Sequence, residues 1–308
     1  MAMNLKETRA IDPILTEVVQ GYRETGLVGE ALFPRVPVTA SGGRILAFGK
    51  ESFQRYNTLR APGAATKRIT FGYLDEPYAL SIHSIEALVP REMQRDAKEV
   101  PNIDLASRST KLVMSVLLKE LEAEQAAQGT NPANYDDDHK EELTGAQKWS
   151  EVTSKPTEDI EDAKEAIRKT VGVRPNVMLL SPEAYRALKL HPTIIDRYKY
   201  TTHEVMTTSL MQAHFEISKI VVGDGIWADA KGKFKDTWSN CAILAYVPPI
   251  PNSMEEPSYG YTYTMEGHPL TEEPYYEDNI KSHVYGVSFE CAPVIAGMQA
   301  GFLFTGVK

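Results

Sequence analysis

Between Leu105 and Leu121 apolar residues recur every three or four positions, with Leu112, Val113, Val116 and Leu117 completing one stripe. That spacing predicts a long amphipathic helix. Its expected limits are residues 102–128: Asn102 or Asp104 can cap the start, and Gly129 followed by Asn131-Pro132 ends it. At 1.5 Å per residue the helix would run about 40 Å, long enough to act as a spine. The same period returns after Thr157, where Ile160, Ala163, Ala166 and Ile167 share a face, acidic residues crowd the first turns and Gly172 is the stop. The unbroken apolar run Asn176 to Leu180 then reads as a buried strand. Ser181-Pro182 supplies a cap and a first-turn proline for a further helix that ends before His191-Pro192. "PTIIDRYK" adds a helical turn or two, and after Thr201 come a short helix ("TSLMQAHF"), a strand ("KIVVGDGIW"), a turn and the buried strand "CAILAYV".

Elsewhere the pattern is that of strands and extended segments. From Ser41 to Ile82, "GGRILAFG" and "KRITFGYL" place apolar and aromatic residues beside Arg and Lys, and the polar stretch between them ends in Pro-Gly-Ala-Ala. A long β-hairpin is expected, with arms of roughly 50 Å if each runs about 15 residues. A two-stranded ribbon is marginal in water, so something must cover it. Residues 1–40 hold a short amphipathic stretch (Ile11, Ile14, Leu15, Val18, Val19). A Gly- and Pro-interrupted segment follows, carrying Leu27, Val28, Leu32, Phe33, Val36 and Val38. Such apolar residues need cover, either from the chain's own body or from a neighbouring copy. The stretch from Pro248 to Tyr276, rich in Pro, Tyr and Glu with Thr-Tyr alternation at its centre, reads as an extended surface excursion. The C-terminal run from His283 to Gly306 is strand-like, with breaks expected at Pro293 and Gly297.

Composition narrows the function classes. Hydrophobic residues make up 42% and charged residues 24% of the 308, an ordinary balance for a chain with a packed core. No stretch approaches the roughly 20 apolar residues of a membrane span, and the N-terminus lacks the apolar block of a signal peptide, so retention in the compartment of synthesis is expected. The net charge of −9 argues against a surface that grips nucleic acid. It permits a wall that encloses the polymer without adhering to it. The cysteines, Cys241 and Cys291, each lie in an apolar run and are expected to fill core rather than form a disulfide.

Candidate chemistry is thin. Asp136, Asp137, Asp138, His139, Glu141 and Glu142 form the best metal candidate, because carboxylate oxygens suit a hard divalent cation. The spacing matches no calcium loop, and a solvated acidic loop is the favoured reading. A metal-dependent hydrolase built on it stands as the alternative from a different class. His191 is expected to terminate a helix with its imidazole near the last carbonyls. Ser181 lacks a nucleophile-elbow context, and "VVGDGIW" lacks the third glycine of a dinucleotide fingerprint. No catalytic constellation and no cofactor is expected.

The order of arm, long hairpin, spine helix, mixed α/β region and C-terminal strands resembles the major capsid proteins of tailed bacteriophages, with their Hong Kong 97-like α+β fold. The likeness is most specific over Thr157–Tyr200, in Asp162, Ala163, Gly172, Pro175, Asn176, Pro182, Leu188, His191 and Pro192, and in "VVQGYRETGLVGEALFPRVPV". It implies an N-terminal arm over residues 1–40 and an extended β-hairpin loop over 41–85. A peripheral domain over 86–155 would carry the spine helix. An axial α/β domain would span 156–280, and C-terminal strands over 281–308 would return to the peripheral domain. It further implies a non-enzymatic shell subunit that joins copies of itself as pentamers and hexamers around double-stranded DNA. Assembly would start in the host cytoplasm and end in the virion, with a portal and a decoration protein as candidate partners. With about 40 residues ahead of the loop, a separate scaffolding protein is expected, and no cleaved leading segment. An encapsulin-type compartment shell is the alternative within the fold. Lys50, Arg55, Arg60, Lys67 and Arg68 make the loop locally basic, and with Leu32 and Phe33 they are the expected contacts between subunits, the loop docking on an acidic neighbour surface. Some relatives cross-link a loop lysine to an asparagine. Lys50 or Lys67 with Asn279 would be the counterparts here, and non-covalent assembly is the expectation.

Overall fold

A computed structural model describes residues 11–46, 59–60, 66, 68, 73–97, 104–198, 207–229, 231–249 and 258–308. In chain order the arm contributes helix α1 (Pro13–Gln20) and strand β1 (Arg35–Val38). Strands β2 (Gly42–Leu46), β3 (Tyr73–Ala79) and β4 (Ser81–Pro90) follow, then helices α2 (Arg91–Ala97) and α3 (Leu105–Gly129). The next elements are β5 (Lys140–Glu142), α4 (Pro156–Val171), β6 (Val177–Leu180), α5 (Pro182–Leu190), α6 (Pro192–Tyr198) and α7 (Thr208–Phe215). The remainder is strand: β7 (Lys219–Val222), β8 (Ile226–Ala228), β9 (Phe234–Asp236), β10 (Cys241–Ala245), β11 (Gly260–Met265), β12 (Leu270–Thr271), β13 (Tyr275–Glu277), β14 (Ser282–Ile295) and β15 (Gly301–Thr305).

Two sheets organise the chain. The five-stranded one runs β5-β15-β10-β6-β7 and is buried on both faces. On one side α4 to α7 lay Ile160, Ile167, Ala184, Leu188, Ile194 and Phe215 against Met178, Leu180, Leu244 and Phe304. On the other, Leu179, Ile243 and Leu303 meet Leu32, Phe33, Trp238 and Tyr259. Burial on both faces explains why β6 and β10 are unbroken apolar runs. The local signals hold. Ser181 Oγ accepts from Ala184 N at 3.2 Å, Asp104 accepts from Ala106 N and Ser107 N, and Gly172 closes α4 in the left-handed region (φ 77°) that glycine adopts freely.

The six-stranded sheet is built on β14, whose residues 282–291 pair with β4 while β11, β12 and β13 line its other edge. Its inner face (Val287, Phe289, Cys291) packs on the stripe Val113, Met114, Leu117, Leu118 and Leu121 of α3. That stripe is the predicted one rotated: Leu112 and Val116 are exposed, and Met114 and Leu118 take the buried side. β14 continues through Pro293, where a break was expected. The partner β4 ends opposite Cys291, so the missing N–H faces no strand, and the Pro293 carbonyl accepts from Gln128 Nε2 at 3.0 Å.

Three more expectations are corrected. The stretch around Tyr261 is core, since β11 inserts between β1 and β14. Its tyrosines Tyr261 and Tyr263 pack on Val36, Val38 and Tyr78, and Thr262 faces α3, taking a 2.9 Å bond from Gln125 Nε2. The C-terminal strands do not all return to the six-stranded sheet. β15 sits inside the five-stranded one between β5 and β10, because Phe302 and Phe304 point into one core and Leu303 into the other. His191 caps α5 as expected, yet its ring turns from the helix carbonyls to Thr193 Oγ1 (2.7 Å), Ser154 Oγ and the Glu151 carbonyl (both 3.1 Å).

Candidate functional site

The β2–β3 hairpin pairs with neither of the two large sheets. β2 and β3 pair with each other as a two-stranded unit, from Gly42↔Ala79 to Leu46↔Tyr73, with a bulge between Arg44 and Leu46. Its root is held to the body by Tyr78, whose ring stacks on Tyr263 with centroids 4.4 Å apart, and Gly43 lies flat on the Tyr78 ring. Arg60 and Arg68 are exposed, Arg60 donating to Thr66 Oγ1 at 3.1 Å. Lys50, Arg55 and Lys67 fall outside the described residues, as does most of the predicted second arm.

Leu32 and Phe33 are not surface contacts. Both are fully buried inside their own chain, packed with Tyr135, Trp238, Ile243 and Tyr259. The Phe33 ring sits where a Cβ on Gly260 would come within 2.5 Å, so only glycine lets β11 pass there. The physical reason is β1, which pairs in parallel with β11 (Val36↔Tyr263) and draws the residues ahead of it into the core. From Ile11 to Val38 the arm is part of the subunit body, with Leu15 and Val19 also buried.

A polar knot that the sequence reading missed fastens this arm. Glu122, buried on α3, accepts from Val28 N (3.0 Å), Gly29 N (2.8 Å) and Trp238 Nε1 (2.6 Å). One turn on, Gln125 reaches Thr262 Oγ1, which donates to the Phe33 carbonyl at 3.0 Å. Arm, spine, β11 and the approach to β10 thus meet on two side chains. The visible signal was two polar residues, Glu122 and Gln125, on or beside an apolar stripe at i, i+3 spacing.

A second surface lies on the face of the six-stranded sheet turned away from α3. Leu88 (55% exposed) and Tyr275 flank Val284 at one end of it, and Ile82 (63%) lies opposite Glu290 at the other, with Ser84 and Glu86 between. Tyr275 Oη donates to Glu86, and Ser288 Oγ to Glu272 Oε1 at 3.1 Å. Its exposed apolar residues are interleaved with acidic ones.

The acidic loop does not converge on a point. His139 is buried and its ring is shared between Asp136 Oδ1 (2.6 Å) and Thr170 Oγ1 (2.9 Å), while the exposed Asp137 pairs with Lys140. Among the described residues no group of three or more His, Cys, Asp or Glu is placed to hold a metal ion. Cys241 and Cys291 are both free and buried, and burial pushes each thiol up to about 12. Among the described residues no helix is long and apolar enough to cross a membrane.

Comparison with known proteins places this architecture. Residues 127–245 match the family model described as phage major capsid protein E. The chain is 35% identical to the major capsid protein of Burkholderia phage BcepMu, over 99% of each chain. The crystal structure of a phage-related protein from Bordetella bronchiseptica RB50 superposes with a TM-score of 0.86 at 47% identity, over 98% of each chain. The holo-SrpI encapsulin complex of Synechococcus elongatus shares the fold at a TM-score of 0.54 and 14% identity, over 97% of this chain and 96% of that one. The architecture is thus the Hong Kong 97-like fold of capsid shells. The chain belongs to the family of phage major capsid proteins, and so to the structural proteins of the virion.

Proposed function

We propose that copies of this chain close into pentamers and hexamers of an icosahedral phage head that encloses double-stranded DNA. In this reading the chain divides as the resemblance implies: arm 1–40, extended loop 41–85, peripheral domain 86–155, axial domain 156–280 and C-terminal strands 281–308, with β15 joining the axial sheet. The observation that carries the reading is the β2–β3 hairpin, a two-stranded unit rooted through Tyr78 and Tyr263, with exposed arginines beyond its root. Such a unit gains stability when another surface covers it. The loop cations Lys50, Arg55, Arg60, Lys67 and Arg68 have a natural counterpart in the acidic, apolar outer face of the β4–β14 sheet of a neighbouring copy. Rim charges of this kind set register and encounter rate more than affinity.

The net charge of −9 supports a wall that contains DNA without holding it. Assembly begins in the host cytoplasm around a separate scaffolding protein, with a portal at one vertex and a decoration protein as a possible outer partner. No cofactor and no catalysis enter this role. The encapsulin-type compartment rests on likeness of fold alone. Electron microscopy of the full chain, expressed alone and with its scaffolding protein, tests the proposal. Closed particles of uniform size are expected. A chain that stays a single compact subunit at every concentration, with and without that partner, would refute it.

A further inference from the structure

The hairpin formed by β8 and β9 pairs with no other strand of the described residues, and its sides are open to solvent. Three-residue strands rarely persist alone in water. Here Ile226 is 54% exposed, Trp227 45% and Phe234 69%. By register Trp227 lies opposite Lys235, whose ammonium sits 5.2 Å from the indole centroid, and Ala228 opposite Phe234. The turn carries the exposed Lys231 and Lys233, whose amides donate to Asp229 Oδ1; Lys235, in β9, pairs at 3.7 Å with Asp229 Oδ2, and Asp224 and Asp236 flank the base. The base is rigid. Thr237 N bonds the Gly225 carbonyl at 2.8 Å, and Gly223 lies flat on the ring of Trp238, itself tied to Glu122. A preorganised ledge with an exposed tryptophan, phenylalanine and lysines is suited to docking.

The hairpin leaves the five-stranded sheet from its edge strand β7. The opposite edge strand, β5, carries Glu141, with Asp159 and Asp162 of α4 close enough to repel it and Val152 exposed in the loop leading into α4. Burial raises the Glu141 carboxyl, and repulsion from Asp159 and Asp162 raises it further. Burial likewise raises Asp159, against the Trp149 bond and the Lys155 charge that lower it, and Asp162 and Glu158 add to the rise. These carboxylates crowd one another with negative charge that a cation from outside would relieve.

We propose that the β8–β9 hairpin of one copy docks on the Glu141–Asp159–Asp162 edge of a second copy, lysines to carboxylates and Phe234 toward Val152. The two surfaces differ and sit at opposite edges of one sheet, so the contact is head-to-tail. A repeated head-to-tail contact closes into a ring when its rotation allows. The proposal rests on the shell-subunit reading and names the contact that would set one copy beside the next within a ring.

The test uses the full chain, scored by particle counts in electron micrographs and by sedimentation velocity, with circular dichroism as the folding control. The reversed variant K231E/K233E, which leaves Lys235 on Trp227 and Asp229, is expected to lower particle yield about tenfold or more. Adding E141K/D162K to the same chain should restore it. A milder pair of exposed positions, K233E rescued by D162K, covers the case in which E141K disturbs the fold. Wild-type yield from the folded reversed variant, or failure of both folded swap chains to assemble, overturns this contact and leaves the shell reading standing. A wild-type chain that never assembles overturns both.

Discussion

Replacing Glu122 by alanine removes the acceptor of three N–H groups at once. Gly29 N and Trp238 Nε1 are buried and Val28 N is partly so. A buried donor left unpaired costs about 1–3 kcal/mol, and the partly exposed amide can recover some of that from water. The sum is about 3–5 kcal/mol, a third or more of the stability of many domains. For a chain of this length it corresponds to a fall in Tm of about 5–8 °C. Glu122→Gln keeps one acceptor oxygen and turns an NH2 group toward donors, so about 2 kcal/mol is expected. Guanidinium unfolding of the unassembled subunit reads the loss, and Trp238, beside the substitution, reports it directly through its fluorescence. A double-mutant cycle with Trp238→Phe separates the bond from packing, with a coupling of about 1–3 kcal/mol expected. An E122A subunit within about 1 kcal/mol of wild type, or strict additivity with W238F, would refute the view that this carboxylate fastens arm, spine and sheet.

Other outcomes follow from the same geometry. Gly29→Ala places a methyl 2.0 Å from Gln125 Oε1 and 2.8 Å from Glu122 Oε2. Gln125 is held by Thr262 and Glu122 by Trp238 and the Gly29 amide itself, so neither can give way; a loss of about 2–3 kcal/mol in chemical denaturation is expected, and a neutral variant would contradict the packing. The Glu141 carboxyl is raised in the folded state by burial and by Asp159 and Asp162. Its stabilising share is therefore whole below the ordinary carboxylate range and is lost as pH rises through the raised value. Glu141→Gln should accordingly raise the Tm of the free subunit at pH 7, with the advantage shrinking on acidification through the carboxylate range. An advantage that grows on acidification would reverse the sign. With both thiols pushed up to about 12 by burial, Cys241 and Cys291 should resist a water-soluble thiol reagent at pH 8 until denaturant is added. Rapid labelling of the native chain would show that one of them is accessible.

The elements that announce themselves along the chain are those governed by near neighbours. A helix repeats its apolar face within four residues, and its caps are side chains a few positions from the amides they hold. The α3 spine, the Asp104 cap, the Gly172 stop of α4 and the Ser181-Pro182 start of α5 were therefore readable in advance. The basic character of the loop was readable too, because charge is a property of composition. Strand partners are another matter. β1 meets β11, and β15 slips between β5 and β10, across long separations that no local pattern encodes. The Thr-Tyr alternation of β11 reads as part of an extended surface excursion, and it becomes core because Gln125 and the Phe33 carbonyl satisfy Thr262. Leu32 and Phe33 showed only that they needed cover. That their own chain supplies it was decided by the tertiary structure, since burial depends on what folds back over a residue and sequence states only how much burial it requires.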